Sequence, residues 1–318
     1  MSDSHATIGL DVGGTKIAGV RLEGGEIVAR AKRPTTKESS EALLEQMALV
    51  AEELGSADSS GVGAGVPSAV EWSTGKVLAS VNVPFHDFPV RDLLAERLGV
   101  PVVIDNDANV AALAEAHRED GSVVRDLVLF TLGTGVGGGI VINGGVYRGA
   151  TGGAGHLGHE IVTATPDGQR MAEGFPRPDS LEAIAAGPAL DSLAADMARS
   201  GSGALAALLA EGREPGGADV VEAARAGDPE SLALLARIAG RLALGVANMI
   251  HTFDPDEVVI GGGVSAAGDF LLAPLLEAVE PLILPGIGTA TTIRLARHGN
   301  DAGAIGAALL ARPGNRDR

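Results

Sequence analysis

The sequence predicts a two-domain α/β protein with a duplicated core and parallel strands in each domain. Three observations carry that prediction. The chain has 318 residues, which corresponds to about two domains at roughly 100–200 residues each. Apolar runs of strand length alternate with helical periodicity, as in sheets whose parallel strands are joined by helices. The third is an internal match at an offset of 120 residues. It places Gly24-Gly25 on Gly144-Gly145, Gly19 on Gly139, Val20 on Ile140, Leu22 on Ile142 and Asp11 on Thr131. A strand, a glycine turn, a second strand and a Gly-Gly hairpin therefore occur once in each half.

In order along the chain, Ala6–Leu10 reads as a buried strand and Ile17–Leu22 as its return, with Asp11-Val-Gly-Gly-Thr15 between them. Ser39–Leu54 has helical periodicity. Gly61–Val66 and Val77–Val81 read as strands, Val90–Leu98 as a helix, and Val100–Ile104 as an apolar strand leading into the helix Ala108–His117. The pattern restarts at Leu127–Leu132, a strand followed by a glycine turn and a second strand, Gly139–Ile142. Helices are expected over Leu181–Ala195, Gly217–Ala226 and Leu232–Thr252, and then a strand over Glu257–Ile260. A helix from about Asp269 to Glu280, a strand Ile293–Ala296 and a helix Asp301–Ala311 complete the chain. Ser200–Gly217 is rich in Gly and Ala and has no assignment.

Composition removes several function classes. There is no cysteine, which excludes disulfides, thiolate nucleophiles and every cysteine-based metal site. A formal charge of −17 disfavours a nucleic-acid backbone or an anionic membrane surface as partner. The longest apolar helical pattern, Leu232–Ile250, carries Arg237 and Arg241 and is not read as a membrane span. Nothing at Met1–Thr7 resembles a secretory signal, so a cytoplasmic location is expected.

The 46 glycines fall in clusters. A glycine turn lets backbone N–H groups converge on an anion because no Cβ blocks the approach. Three clusters qualify: Gly13-Gly14, Gly133–Gly138 and Gly261–Gly263. The second matches G-x-G-x-x-G formally. A dinucleotide fingerprint must open a helix, however, and here a strand follows. A lone Gly pair is ordinarily a tight turn. Two equivalent turns in duplicated halves point instead to hairpins gripping a polyphosphate from both sides. Gly261, Gly262 and Gly263, ahead of a helix, would add an N-terminal dipole. Asp11 and Lys16 flank the first turn, and Asp11 suits either Mg²⁺, directly or through water, or an Asx turn.

Val100–Ile104 delivers Asp105-Asn106-Asp107 to the carboxyl end of a buried strand, where open α/β sheets bind ligands. Helix capping needs only one of the three. Asp107 is the candidate general base, its pKa expected to be low at a helix N-terminus. Asn106 suits a pair of sugar hydroxyls. Asp105 is expected to face solvent or to cap the helix.

Leu10-Asp-Val-Gly-Gly-Thr-Lys-Ile17, Gly65-Val-Pro67, Asp105-Asn-Asp-Ala-Asn109, Thr131–Gly139, Gly149-Ala-Thr-Gly152, Gly158-His159, Leu181-Glu-Ala183 with Gly187, Gly261-Gly-Gly-Val264 and Gly299–Gly306 together resemble the ROK (repressor, open reading frame, kinase) family in its bacterial glucokinase branch. The resemblance covers nearly the whole chain. It implies an actin-like ATPase (ribonuclease H-like) fold, divided as 1–118 plus 300–318 and 119–299, closing over ATP and a hexose. It implies an ATP- and Mg²⁺-dependent hexose kinase, with glucose the expected acceptor, acting as a homodimer or homotetramer. Asp107 becomes the base for the sugar 6-hydroxyl. Asn82, Asn106, His156, His159 and Glu182 become sugar-binding residues. Gly13, Gly14, Thr15, Lys16, Gly133, Thr134, Gly135 and the 261–263 cluster fall to the nucleotide.

Two departures stand out. Glu173, Phe175 and Ser180 occupy the positions of the family's zinc-binding cysteines, so no zinc site is expected. His156 occupies the position of a family glutamate that contacts the sugar, which leaves N-acetylmannosamine, N-acetylglucosamine, fructose, mannose and allose open as acceptors. Two further readings are weighed against the kinase. A transcriptional repressor would need a DNA-binding segment before the first strand. A non-catalytic sugar sensor is disfavoured by the presence of Asp107 and both glycine turns.

Overall fold

The computed structural model describes residues 6–80, 82–163 and 174–316. The chain opens with β1 (Thr7–Val12), β2 (Lys16–Glu23) and β3 (Glu26–Pro34), then α1 (Ser40–Glu53) and β4 (Val62–Val66). A small sheet of β5 (Ser68–Glu71), β6 (Lys76–Ser80) and β7 (His86–Phe88) precedes α2 (Val90–Leu98), β8 (Val102–Asn106) and α3 (Asp107–Ala116). Next come β9 (Leu127–Leu132), β10 (Val136–Ile142) and β11 (Gly145–Val146). They are followed by α4 (Leu181–Ala185), α5 (Gly187–Ser200), α6 (Ala204–Ala210), α7 (Gly217–Arg225) and α8 (Pro229–Phe253). The chain continues through β12 (Glu257–Gly261), α9 (Asp269–Val279), β13 (Thr292–Leu295) and α10 (Ala302–Leu310).

Two five-stranded sheets have the same order. The first runs β3-β2-β1-β4-β8 and the second β11-β10-β9-β12-β13. In the first, β1 pairs antiparallel with β2 and parallel with β4, and β4 pairs parallel with β8. β1 and β9 also share one burial pattern along all six residues, with Asp11 and Thr131 the single half-buried position in each. The 120-residue repeat is thus a repeat of topology.

The described residues form two compact units, one of 6–129, 139–155 and 297–316, the other of 130–138 and 156–296. In the first unit Ile8, Leu10, Val12 and Ile17 pack with Leu43, Met47 and Leu94 of α1 and α2. The opposite face packs Val20, Leu22 and Val103 against α3 and the Ala/Gly-rich α10. The approach of α10 is close: a Cβ on Gly9 or Gly63 would strike the backbone of Ala304 or Ala307. Helix α8 is long and apolar enough to span a membrane by length and composition alone. Its Leu235, Ile238, Leu242 and Val246 are fully buried within the second unit, as in a core helix.

Several elements differ from expectation, among them β5 and β7, to which the sequence assigned no strand. The helix read over Leu181–Ala195 is two helices, broken at the extended Ala186. Pro188 lacks an N–H and is suited to a first helical turn rather than an interior, so it restarts the helix. β3 was not foreseen, because its alternately exposed Glu, Arg and Lys residues hide an edge strand. The unassigned Ser200–Gly217 stretch contains α6.

Candidate active site

The first unit gathers Asp11, the Gly13–Lys16 turn, Asn82, Asn106 and Asp107. Asp11 ends β1, and its carboxyl lies against Gly303 of α10, where a Cβ would fall 2.8 Å from Cγ. Burial pushes the Asp11 pKa up to about 6, the negative charge of Asp107 adds to the rise, and Lys16 opposes it. Gly14 packs against Asn82, whose Cβ and carbonyl oxygen would each stand 3.3 Å from an added Cβ. Gly13 N–H donates to Lys16 O at 2.9 Å. Among the described residues, the amides of Gly14 and Thr15 have no hydrogen-bond partner.

Asn106 is the N-cap of α3, its Oδ1 accepting from Ala108 N (3.0 Å) and Asn109 N (3.3 Å). Its Nδ2 donates to Ser68 O at 3.3 Å, leaving one N–H for a ligand. Asp107 is half-buried and accepts Ala108 N–H at 2.9 Å on one oxygen. The expected low pKa is corrected here. Burial outweighs the hydrogen bonds from Ala108, its own amide and Asn106, and raises Asp107 to about 6. A base with a pKa near the working pH accepts a proton more effectively than an ordinary carboxylate.

Asp105 also departs from expectation. It is only 3% exposed. Its Oδ2 accepts from Arg148 Nε at 2.7 Å, and its Oδ1 from Asn106 N (2.7 Å) and Asn109 Nδ2 (2.9 Å). The Arg148 guanidinium stacks 3.5 Å from the centroid of Trp72, the single tryptophan of the chain. Asp105 therefore anchors the strand end that presents Asn106 and Asp107. No local pattern could have found Arg148, because it lies 43 residues away.

The second unit gathers the turn at Gly133, Thr134 and Gly135 with Glu182, Gly158 and the 261–263 cluster. Gly133 N–H donates to Gly135 O at 2.9 Å and Gly187 N–H to Gly133 O at 2.8 Å. Val136 N–H donates to Glu182 Oε2 at 2.9 Å, and Gly135 leaves room for that carboxylate. Among the described residues the Thr134 and Gly135 amides have no partner. Glu182 thus braces the turn with one oxygen, while its other carries no hydrogen bond among the described residues.

Gly262 has φ +84° and packs against the backbone of Leu132, at the base of the same turn. Gly261–Gly263 precedes the helix expected from about Asp269 but does not abut it. A five-residue 3₁₀ segment, Gly263–Ala267, intervenes, and α9 starts only at Asp269. Gly268 in a conformation with φ 63° and ψ −135° separates the two, which removes the dipole argument at that cluster.

His156 and His159 are exposed, with ring centroids 6.2 Å apart, at either end of a 3₁₀ turn. Burial of its ring, and then the neighbouring His159, hold the His156 pKa below the usual imidazole value. Phe175 packs edge-on against His159 with centroids 5.5 Å apart. Ser180 is buried and caps α4, accepting Ala183 N–H at 3.3 Å and donating to Arg177 O at 2.7 Å. Glu173 lies outside the described residues. Among those described, no group of three or more His, Cys, Asp or Glu is arranged to hold a metal.

A family model described as the ROK family matches residues 7–313. The chain belongs to the ROK family. It has the actin-like ATPase fold of its family neighbours. It is 37% identical to a glucokinase of Halalkalibacterium halodurans over 96% of this chain and 94% of that protein. Among solved structures it is similar to a ROK hexokinase from Thermus thermophilus (36% identity, TM-score 0.78, covering 98% of this chain and 100% of that one). It is also similar to a ROK family glucokinase from Streptomyces griseus in complex with glucose and AMPPNP (32% identity, TM-score 0.79, covering 96% and 99%).

Proposed function

We propose that the chain is an ATP-dependent hexose kinase that transfers the γ-phosphoryl group to the 6-hydroxyl of D-glucose. The observation that carries the reading is Asp107. A carboxylate with a pKa of about 6 stands at the β8–α3 junction beside Asn106, in a family member similar to glucokinases along nearly its whole length. Asp107 takes the proton of the 6-hydroxyl as that oxygen bonds to the γ-phosphorus. The bond from phosphorus to the bridging oxygen breaks, and ADP leaves with the electron pair. In this reading Asn82, Asn106, His156, His159 and Glu182 orient the sugar. The Gly13–Lys16 and Gly133–Gly135 turns, with the 261–263 cluster, hold the nucleotide.

The Asp11 carboxyl fits Mg²⁺, whose charge would relieve its burial and the repulsion from Asp107. Mg²⁺ is commonly held by one or two carboxylates, waters and substrate phosphates, so a three-residue cluster is not required. When bound, Mg²⁺ neutralises phosphate charge. Residues 1–118 with 300–318 and residues 119–299 are the functional divisions in this reading. A cytoplasmic homodimer or homotetramer is its cellular form. Coupled ADP release, measured with Mg-ATP over a panel of hexoses, tests the proposal. Glucose should give the highest kcat/KM. N-acetylmannosamine or another hexose in first place would correct the acceptor, and no turnover with any would overturn the kinase reading.

A further inference from the structure

Helix α3 begins at Asp107 and ends beside a cavity that the proposed reaction does not use. The cavity has a volume of about 720 Å³, within the range of small-molecule sites, and all its lining residues belong to the first unit. Leu22, Ile27, Ile305 and Leu309 supply apolar wall. Arg30, Arg118 and Arg312 also line it, against Glu26 and Glu119. Three guanidinium groups and two carboxylates therefore share this surface.

Arg30 is held by Asp301 at 3.0 Å. Arg312 has no carboxylate within ion-pair distance among the described residues. Nor does helix capping consume its side chain. The terminal carbonyls of α3 are taken by other donors: Leu113 O by His117 Nδ1 (2.8 Å), Ala114 O by His117 N (3.1 Å) and Ala116 O by Val124 N (2.8 Å). At the end of α10, Leu309 O accepts from Asn315 Nδ2 at 2.9 Å and Ala311 O from Arg316 Nε at 2.7 Å. Each of these carbonyls already has a donor other than the Arg312 side chain.

Two imidazoles, His117 and His298, also line the cavity. The pKa of His117 is held down first by burial, and then by the positive field of Arg312 and His298. Glu115, fully buried on α3, accepts the backbone N–H groups of Arg297 (2.9 Å) and His298 (3.0 Å) and pins that wall to the helix.

We propose that this cavity binds a phosphomonoester carried on a small organic body, of the size of a sugar phosphate or a nucleoside monophosphate. The phosphate would pair with Arg312, whose planar fork matches its oxygens, and the apolar wall would take the body. The α3 helix places the cavity about 15 Å from Asp107, at ten residues and 1.5 Å per residue. The product of the proposed kinase is itself a phosphomonoester. The regulatory meaning of the site rests on that reading, while binding at the cavity does not.

Isothermal titration of the full chain, saturated with glucose and a non-hydrolysable ATP analogue, tests it. Glucose 6-phosphate, AMP and inorganic phosphate are titrated separately. One added site for glucose 6-phosphate or for AMP is expected, and which of them binds identifies the source of the phosphate. Affinity should fall about ten-fold or more in Arg312→Gln, with kcat in the absence of the ligand unchanged. Should Arg312→Gln not fold, Arg312→Lys with a matched melting curve makes the same test, since it keeps the charge and loses the planar fork. Binding by inorganic phosphate alone, binding unchanged in the variant, or no binding by any of the three would each overturn the proposal. A failed sugar-panel assay with an intact Arg312-dependent site would strike the kinase reading and leave this one standing.

Discussion

The turn after β1 and the turn after β9 hold equivalent places in two sheets of identical strand order, yet different partners secure them. In the first, Thr35 at the end of β3 binds both sides of the turn, its Oγ1 to Gly13 O at 2.7 Å and its N–H to Thr15 O at 3.1 Å. The second is held from about fifty residues away, by Glu182 on α4 and by the N–H of Gly187 opening α5. Both spend their first glycine amide internally, on Lys16 O and on Gly135 O. Both leave the next two amides open, at Gly14 and Thr15 and at Thr134 and Gly135. Duplication thus supplied two pairs of amides without a partner among the described residues. What separates the halves is where their carboxylates stand, since Glu182 braces the second turn itself. The half-buried position before the turn is Asp11 in the first strand and Thr131 in the second, and Asp107 adds a second carboxylate to the first unit alone. In the proposed reaction, proton transfer and metal binding therefore belong to the first unit. The second turn depends on α4 for its shape.

The largest effect that would sharpen this division is expected from Asp107→Asn. It should lower kcat by about 10²–10⁴-fold with little change in nucleotide affinity, measured by steady-state kinetics and calorimetry. A carboxyl whose folded pKa is raised costs stability when ionised, above pH 6, and that cost disappears when it is protonated. Asp107→Asn should therefore raise the unfolding free energy at pH 8 by about 1 kcal/mol after allowance for partial exposure, seen as a higher melting midpoint, and should not do so at pH 4. Near-normal turnover in the variant would remove Asp107 from the role of base.

A smaller effect should separate the brace from the charge in the second turn. Glu182→Ala leaves the Val136 amide without its acceptor and should raise the nucleotide KM about ten-fold. Glu182→Gln keeps a carbonyl oxygen for that amide and should restore most of the nucleotide KM. Equal damage from both would show that the carboxylate charge matters more than the hydrogen bond.

The smallest change concerns His156. With its pKa held below the usual imidazole value, it is neutral at pH 7 and gains charge only in acid. His156→Glu should reorder sugars that differ at the first two ring carbons by a few-fold to ten-fold in kcat/KM, and should remove any dependence of sugar affinity on imidazole protonation. An unchanged ranking and pH dependence would make His156 a packing residue at the edge of its turn.

Much of this architecture was legible because the features that mark it are local. The 120-residue match of glycines and apolar residues predicted a repeated strand–turn–strand–hairpin unit, which both sheets contain, and Asp105-Asn106-Asp107 was placed at a strand end from its own neighbours. What was not legible depends on distant partners. Asp105 looked solvent-facing because Arg148, which buries it, lies elsewhere in the chain. Asp107 was assigned a low pKa from its helix position, whereas the surrounding burial raises it. β3 escaped notice because an edge strand with one polar face carries little apolar signal. The Gly261–Gly263 cluster was legible as a close approach and not as a helix start, because Gly268 resets the chain before α9.

In the proposed reaction the raised carboxyl of Asp107 accepts the proton of the sugar hydroxyl, and the pH dependence of kcat with saturating Mg-ATP and glucose reads that step. Activity should fall as pH drops through about 6, where Asp107 and its neighbour Asp11 take up protons as an interacting pair. In Asp107→Asn the residual activity should lose that limb or show it at lower pH, since removing the charge of Asp107 relieves Asp11. A limb that stays near pH 6 in the variant, or is missing from the wild-type protein, would contradict it.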